Sequence, residues 1–204
     1  MSGGFTTTQH LSLGDTNKPW GVCGFTSTFY AMSRMNQFKY TKWIDWTHAY
    51  SVLYEIRDYL VALQAVTSPL LQDITDFTRC FGGVHAKFTI DEYIKNIDNA
   101  SATEKSAAEI LKDEKFGMGL PPKVVADYIT RQWKMTATIT EISGSLASGD
   151  AIVGVANGSR TTPYHGLVHY LYRGGNKFYS WGNEYDTLAQ ANASFTIIYA
   201  ITIT

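Results

Sequence analysis

The spacing of apolar residues changes from a helical period to a two-residue period near residue 134. Before that point, apolar side chains recur at intervals of three and four residues, as on one face of an amphipathic helix. The clearest case is the segment 44–65, with apolar residues at Trp46, Ala49, Leu53, Ile56, Leu60 and Leu63. After it, apolar and polar residues alternate, as in strands with one buried face. Helices followed by strands predict an α+β fold.

The same patterns predict the individual elements. Helices are expected over 22–38, 44–65, 89–98 and 103–113, and again after Leu120-Pro121-Pro122, because proline is favoured at a helix start. Thr89 or Asp91 is the expected cap of the helix over 89–98. Strands are expected over 135–139, 152–155, 167–172, 177–181 and 195–203. The sequence Arg173-Gly174-Gly175-Asn176 predicts the turn of a β-hairpin.

Length and charge narrow the class of protein. A chain of 204 residues predicts one domain, residues 1–204, with a helical part over about 20–133 and a β part over about 134–204. With 17 basic and 18 acidic residues the formal charge is −1, which gives no electrostatic reason to expect a nucleic-acid partner. No apolar run reaches the roughly 18 residues that a membrane span needs. The oligomeric state stays open.

The N-terminal residues predict the cellular location. The first eight residues have neither a basic region nor an apolar region, so they do not resemble a secretory signal. The expectation is therefore a cytoplasmic protein in the producing cell, with export by a signal-independent route left open.

The chain has only two cysteines, Cys23 and Cys80, which is too few for a disulfide framework or a four-ligand zinc site of the Cys/His type. It also lacks the glycine-rich motifs that bind nucleotides. No cofactor and no metal are therefore predicted.

Cys23 has the sequence context of a reactive thiol. It lies where a helix is expected to begin, and amide groups at a helix N-terminus favour the thiolate. Its own N–H and the amide of Asn17, six residues earlier, are candidate donors to an oxyanion. A structural alternative is that Cys23 is a small buried core residue. Cys80 has no comparable surroundings.

The predicted hairpin supplies a candidate base. Counting outward from Gly174-Gly175 places His165 opposite Glu184 and beside Asn183, and a catalytic thiol needs a base that a third group orients. His169 is four residues from His165, which on a strand is ~13 Å, too far to share a metal ion. His169 is therefore interpreted as a packed strand residue, with a role as the base left as an alternative.

These segments together resemble the papain-like cysteine peptidases, including bacteriocin-leader-processing peptidases and bacterial effector toxins. The resemblance rests on Asn-x5-Cys-Gly at residues 17–24, Gly-x-Ala-Ile-Val-x-Val at 149–155, His-Gly-Leu-Val at 165–168 and Ser-Trp-Gly at 180–182. The residues between Cys23 and these later motifs match only as a generic helical lobe. The resemblance implies a helical lobe packed against an antiparallel sheet, with a cleft between them. It further implies that Cys23 is the nucleophile, His165 the base and Asn17 the oxyanion donor.

The chain departs from the family pattern at two positions. The family usually has glutamine where this chain has the shorter Asn17. The third triad residue is also ambiguous, since aligning Ser-Trp-Gly selects Tyr179 whereas strand counting selects Asn183. Glu184 and Asp186 are further alternatives for this position.

The resemblance implies a cysteine-dependent hydrolase that acts on a carboxamide of a protein or peptide substrate. Cleavage of a peptide bond is the first expectation, and the resemblance then implies a peptidase that acts as a bacterial effector toxin. Glutamine deamidation, transglutamination and peptidoglycan amide hydrolysis are alternatives, because one fold supports several such reactions. A catalytically inactive binding module is the alternative from a different functional class.

Overall fold

The computed structural model describes residues 21–35, 49–103, 113–143, 149–158, 163–180 and 182–204. Within these ranges the chain has an α+β architecture in which the long helices precede an antiparallel sheet. The helices are α1 (Cys23–Arg34), α2 (Ala49–Ala65), α3 (Leu70–Arg79), α4 (Ile90–Ala102), α5 (Pro122–Trp133) and the short α6 (Pro163–Gly166) and α7 (Leu188–Ala191). The strands are β1 (Ala137–Glu141), β2 (Ala151–Asn157), β3 (Leu167–Gly174), β4 (Lys177–Ser180), β5 (Asn183–Tyr185) and β6 (Phe195–Ile203).

The helix boundaries follow from local chemistry that the sequence displays. Helix α4 begins after Thr89, whose hydroxyl accepts a hydrogen bond from the Glu92 amide at 3.3 Å, as a capping residue does. Helix α5 begins at Pro122, where the missing amide hydrogen costs nothing, and ends at Trp133. Its C-cap residue, Lys134, has a left-handed backbone with φ of 57°. The predictions of Cys23 in the first turn of a helix, of Thr89 as a cap and of a helix that begins at a proline are confirmed.

The sheet has six strands in the order β1-β6-β2-β3-β4-β5, and every neighbouring pair is antiparallel. Strand β6, the last strand in the chain, lies between β1 and β2 and pairs with both of them. The predicted hairpin is present as β3 and β4, and the predicted last strand is present as β6. Four of the described elements, α3, β5 and the short helices α6 and α7, have no counterpart in the sequence prediction.

The hairpin register differs from the one obtained by counting from the sequence. Gly174 pairs with Lys177 and Tyr172 with Tyr179, so the turn is centred on Gly175-Asn176 rather than on Gly174-Gly175. The predicted pairing of His165 with Glu184 is wrong, because Glu184 pairs with Tyr179 from strand β5. A two-residue turn of this kind favours positive φ, which Gly175 supplies with φ of 61°.

An aromatic cluster in the main core supports the first helix. The ring of Tyr128 on α5 lies 4.8 Å from that of Phe25 on α1 and 5.1 Å from that of Tyr59 on α2, both edge-to-face. Helix α1 also approaches the start of α5 closely, since a Cβ atom on Gly24 would lie 2.9 Å from Leu120 Cδ1. The cluster thus fixes the N-terminal end of α1 through its neighbours.

Two further sequence predictions concern the helix expected over 103–113 and the expected absence of a membrane span. The helix expected over 103–113 falls largely on residues 104–112, outside the described residues. In the part of the chain that the structure describes, none of the helices combines the length and the apolar character that crossing a bilayer requires.

Candidate active site

Cys23 is the first residue of α1, where the sequence places it, and its side chain is buried with 9% exposure. The backbone amides of Cys23 and Gly24, in the first turn of the helix, favour the thiolate form of the sulfur, as does the backbone amide of Tyr170 on β3. The helix N-terminus therefore points its donors at the sulfur, and β3 lies directly beside it.

The protonation state of Cys23 differs from the sequence prediction. Burial raises the pKa of the Cys23 thiol from an ordinary value of 9.0 to about 11, and the three backbone amides lower it by less. The expected depressed pKa is therefore wrong for the free protein. Desolvation prevails because a thiolate in this buried site would lose its water. Cys23 is a protonated thiol at neutral pH.

A cavity of about 530 Å³ opens over Cys23. One wall comes from the end of α3, the loop after it and residues 114–120, and the other comes from the ends of β2, β3 and β6. Most of the lining is apolar. The polar side chains that line it are those of His85, Glu114, Asn157, His169 and Asn192.

His169 is one of the residues that line this cavity. Its side chain is buried with 7% exposure, and its ring stacks on that of Phe195 with 6.0 Å between centroids. Its Nε2 atom lies 2.7 Å from the hydroxyl oxygen of Ser180 on β4. Burial lowers the pKa of His169 to about 3, so the imidazole is neutral at physiological pH. The same burial makes this ring a weak base in the free protein.

His165 lies elsewhere. It precedes β3 in the short turn α6, where its backbone is left-handed with φ of 57°, and its side chain is 65% exposed. Its Nε2 atom lies 3.7 Å from a carboxylate oxygen of Glu141 on β1, and it does not line the Cys23 cavity. Of these two histidines, His169 is the one that lines the Cys23 cavity. Its ring lies on the face of the sheet that carries Val155 and Phe195, whereas Tyr170 faces the core that contains Cys23.

The sequence candidates for the third triad residue also lie outside this cavity. Asn183 is exposed on β5 and is the register partner of Ser180. Glu184 forms an ion pair with Lys177, and Asp186 lies 3.8 Å from the same ammonium group. Tyr179 packs against Tyr30, with 6.2 Å between ring centroids. Ser180, which the sequence reasoning did not select, contacts the His169 ring.

The two remaining candidates from the sequence are Asn17 and Cys80. Asn17, the candidate oxyanion donor, lies outside the described residues. Cys80 is exposed, and its thiol donates to the carbonyl of Asp76 at 3.1 Å. Among the residues that the structure describes, no group of three or more His, Cys, Asp or Glu side chains is arranged to hold a metal ion.

The raised pKa of Cys23 predicts how the free protein reacts with iodoacetamide. Because only the thiolate reacts, alkylation of Cys23 should accelerate about tenfold for each pH unit between 7 and 10. The exposed Cys80 should be labelled first at neutral pH. Peptide mapping after short exposures at several pH values measures both rates. Faster labelling of Cys23 than of Cys80 at pH 6 would instead support the depressed pKa that the sequence suggested.

Comparison with protein-family models, with curated proteins and with solved structures found no match to this chain.

Proposed function

We propose that this protein is a cysteine-dependent hydrolase in which Cys23 is the nucleophile and His169 is the base. The observation that carries the proposal is that both residues line one cavity, Cys23 from the start of a helix and His169 from a neighbouring strand. A thiol beside a histidine that a further group orients is the arrangement that covalent acyl transfer requires.

The mechanism starts from a neutral thiol and a neutral imidazole. As the Cys23 sulfur attacks a carboxamide carbon, its proton passes to His169, so charge develops only when the substrate is present. The first-turn amides of α1 point toward this end of the helix and favour negative charge there. The protonated His169 then gives its proton to the departing nitrogen, which leaves a thioester on Cys23. Water hydrolyses the thioester and restores the thiol.

The proposed fold is papain-like, with the cavity corresponding to the cleft between the helical lobe and the sheet. The order of elements supports this proposal, since the cysteine begins the first described helix and the histidine lies on a strand of a later antiparallel sheet. The volume of about 530 Å³ suits several residues of a peptide, which favours a peptide bond as the substrate.

A catalytically inactive binding module is the second candidate. The observation in its favour is the burial of Cys23, which keeps the thiol protonated with a pKa of about 11. In that case the apolar cavity would hold a peptide without cleaving it.

Intact-mass proteomics of a cell lysate tests the proposal. The lysate is incubated with the wild-type protein or with Cys23→Ala, and the treated samples are compared. We expect new protein fragments with the wild type only, which means peptide-bond cleavage. A gain of about 1 Da in a target would instead indicate deamidation by the same nucleophile, since –NH₂ is replaced by –OH. Identical profiles for the two proteins would contradict a hydrolase and leave the binding module.

A further inference from the structure

Strand β1 (Ala137–Glu141) lies at one edge of the sheet. It pairs with β6 on one side, and on its other side it pairs with none of the strands that the structure describes. Its residues from Thr138 to Glu141 are all exposed, including the apolar Ile139 at 37%. An edge strand of this kind presents a row of backbone N–H and C=O groups with which another strand can pair.

The pairing with β6 fixes the direction of the backbone groups of β1. Thr136 and Thr204, just beyond the paired strands, exchange two hydrogen bonds at 2.8 and 3.0 Å. The Ile142 amide donates to the Ile198 carbonyl at 2.9 Å. Because every second residue of an antiparallel strand bonds to its partner, the even-numbered residues of β1 bond to β6. The odd-numbered residues therefore direct their N–H and C=O groups to the open edge.

These outward-facing groups belong to Ala137, Ile139 and Glu141, and the two edges of the sheet differ in how they are protected. Strand β5, at the opposite edge, has only three residues, and an ion pair between Lys177 and Glu184 lies across β4 and β5. Short strands and charged side chains discourage pairing with another chain. Strand β1 has five residues, and its one charged side chain, that of Glu141, lies at its end. The β1 edge is thus the one that remains open to a partner.

We propose that β1 is a self-association surface, at which it pairs antiparallel with β1 of a second copy of this chain about a two-fold axis at Ile139. The outward N–H of Ile139 then donates to the Ile139 carbonyl of the second copy, and the reverse bond completes the pair. Ala137 and the second copy's Glu141 pair in the same way on each side of the axis, which gives about six backbone hydrogen bonds. The inference does not depend on the proposed function.

The side chains of β1 are complementary to a second copy in this register. Thr138 lies opposite Thr140 of the second copy, and threonines that face each other across two strands stabilise a sheet. The two Ile139 side chains lie next to each other at the axis, where each reduces the exposure of the other. Glu141 lies opposite Ala137, so the two carboxylates stay apart, whereas an axis at Glu141 would place like charges together. A two-fold pairing also closes on itself and gives a dimer rather than a filament.

The small size of this interface predicts a weak dimer. One pair of five-residue strands buries far less than the roughly 1,600 Å² of a standard protein complex. We therefore expect a dissociation constant of about 10 μM or weaker, so the dimer population should change with protein concentration. Sedimentation velocity of the full chain over a range of concentrations measures this constant.

Amide hydrogen exchange followed by NMR tests the register directly. In dilute solution the amides of Ala137, Ile139 and Glu141 should exchange rapidly, because they face solvent. The amides of Thr138 and Thr140 should exchange slowly at every concentration, because they bond to β6. In concentrated solution the three outward amides should slow by at least about threefold as the dimer forms. Unchanged exchange at these three amides would overturn the inference.

Variants at the axis test the same pairing through the dissociation constant. Ile139→Lys places two ammonium groups opposite each other and should raise the constant by at least about fivefold. Ile139→Pro removes only an outward N–H, which an edge strand tolerates, and should weaken the dimer similarly. Val66→Lys is the matched control, because Val66 is a β-branched residue with 59% exposure that follows the end of α2. The control should keep the wild-type constant.

The outcomes separate this inference from the proposed function. Sedimentation as a monomer at every concentration would overturn the inference. A dimer that both Ile139 variants leave intact would also overturn it, because association would then use another surface. An equal loss of the dimer in Val66→Lys would show a general effect of added charge and would count against β1. Cys23→Ala should form the same dimer as the wild type, so failure of the hydrolase proposal leaves this inference standing.

Discussion

Cys23→Ala is expected to lower the rate of substrate hydrolysis by at least about 10⁴-fold, because removal of a nucleophile leaves only binding and oxyanion stabilisation. The measurement is kcat/KM on the substrate that the lysate experiment identifies. The loss should lie in kcat, since the cavity walls that hold the substrate are unchanged. A rate within tenfold of the wild type would show that Cys23 is not the nucleophile.

The effect of Cys23→Ala on stability distinguishes a catalytic role of the Cys23 sulfur from a role in core packing. Cys23 is part of the main core, so removal of its sulfur should reduce the free energy of unfolding by about 1 kcal/mol, comparable with the loss of one buried methyl group. Chemical denaturation measures this change. Cys80→Ala is the control, because Cys80 is exposed and lies outside the cavity. The control should keep both the activity and the stability of the wild type.

Tyr128→Ala is expected to cause the largest loss of stability, about 3–5 kcal/mol, because a fully buried aromatic side chain is replaced by a cavity. The Tyr128 ring lies within 6.2 Å of the rings of Phe25, Phe29 and Tyr59. Its hydroxyl also donates to the buried carboxyl group of Glu55 at 3.0 Å. The measurement is the free energy of unfolding in urea. A loss below 1 kcal/mol would show that this cluster does not support the fold.

Tyr128→Phe is the matched variant for the aromatic cluster. It keeps the ring contacts and removes only the hydroxyl group that donates to Glu55. The expected loss is about 1–3 kcal/mol, since a buried carboxyl group loses one of its partners. A loss as large as that of Tyr128→Ala would show that the hydrogen bond, rather than the ring packing, stabilises this region.

Much of the fold could be predicted because its signals are local. The three-to-four-residue spacing, the Thr89 cap and the double proline each act within one or two helical turns, and α4 and α5 begin where these signals place them. The predicted last strand, residues 195–203, has the same bounds as β6. Helix α3 was missed although it is strongly amphipathic, because its three fully buried residues, Ile74, Phe77 and Thr78, form a short stripe in a polar segment. Strand β5 has only three residues, too few to show an alternation.

The site could be predicted only in part because it depends on register and burial. Cys23 was found from a local feature, the start of a helix. His165 was preferred because the hairpin was counted from Gly174-Gly175, and moving the turn by one residue changes every pairing beyond it. The pKa of Cys23 could not be read from the helix start alone, since the burial that raises it comes from packing against distant residues.

The central claim is that Cys23 works with His169, and the comparison of His169→Ala with His165→Ala tests it most directly. Removal of a general base typically costs about 10²–10⁴ in kcat. We predict a loss of that size for His169→Ala and wild-type kcat for His165→Ala, whose exposed side chain lies beside Glu141. His85→Ala, at the opposite wall of the same cavity, controls for general damage to the cavity. Full activity in His169→Ala together with loss of activity in His165→Ala would contradict the account.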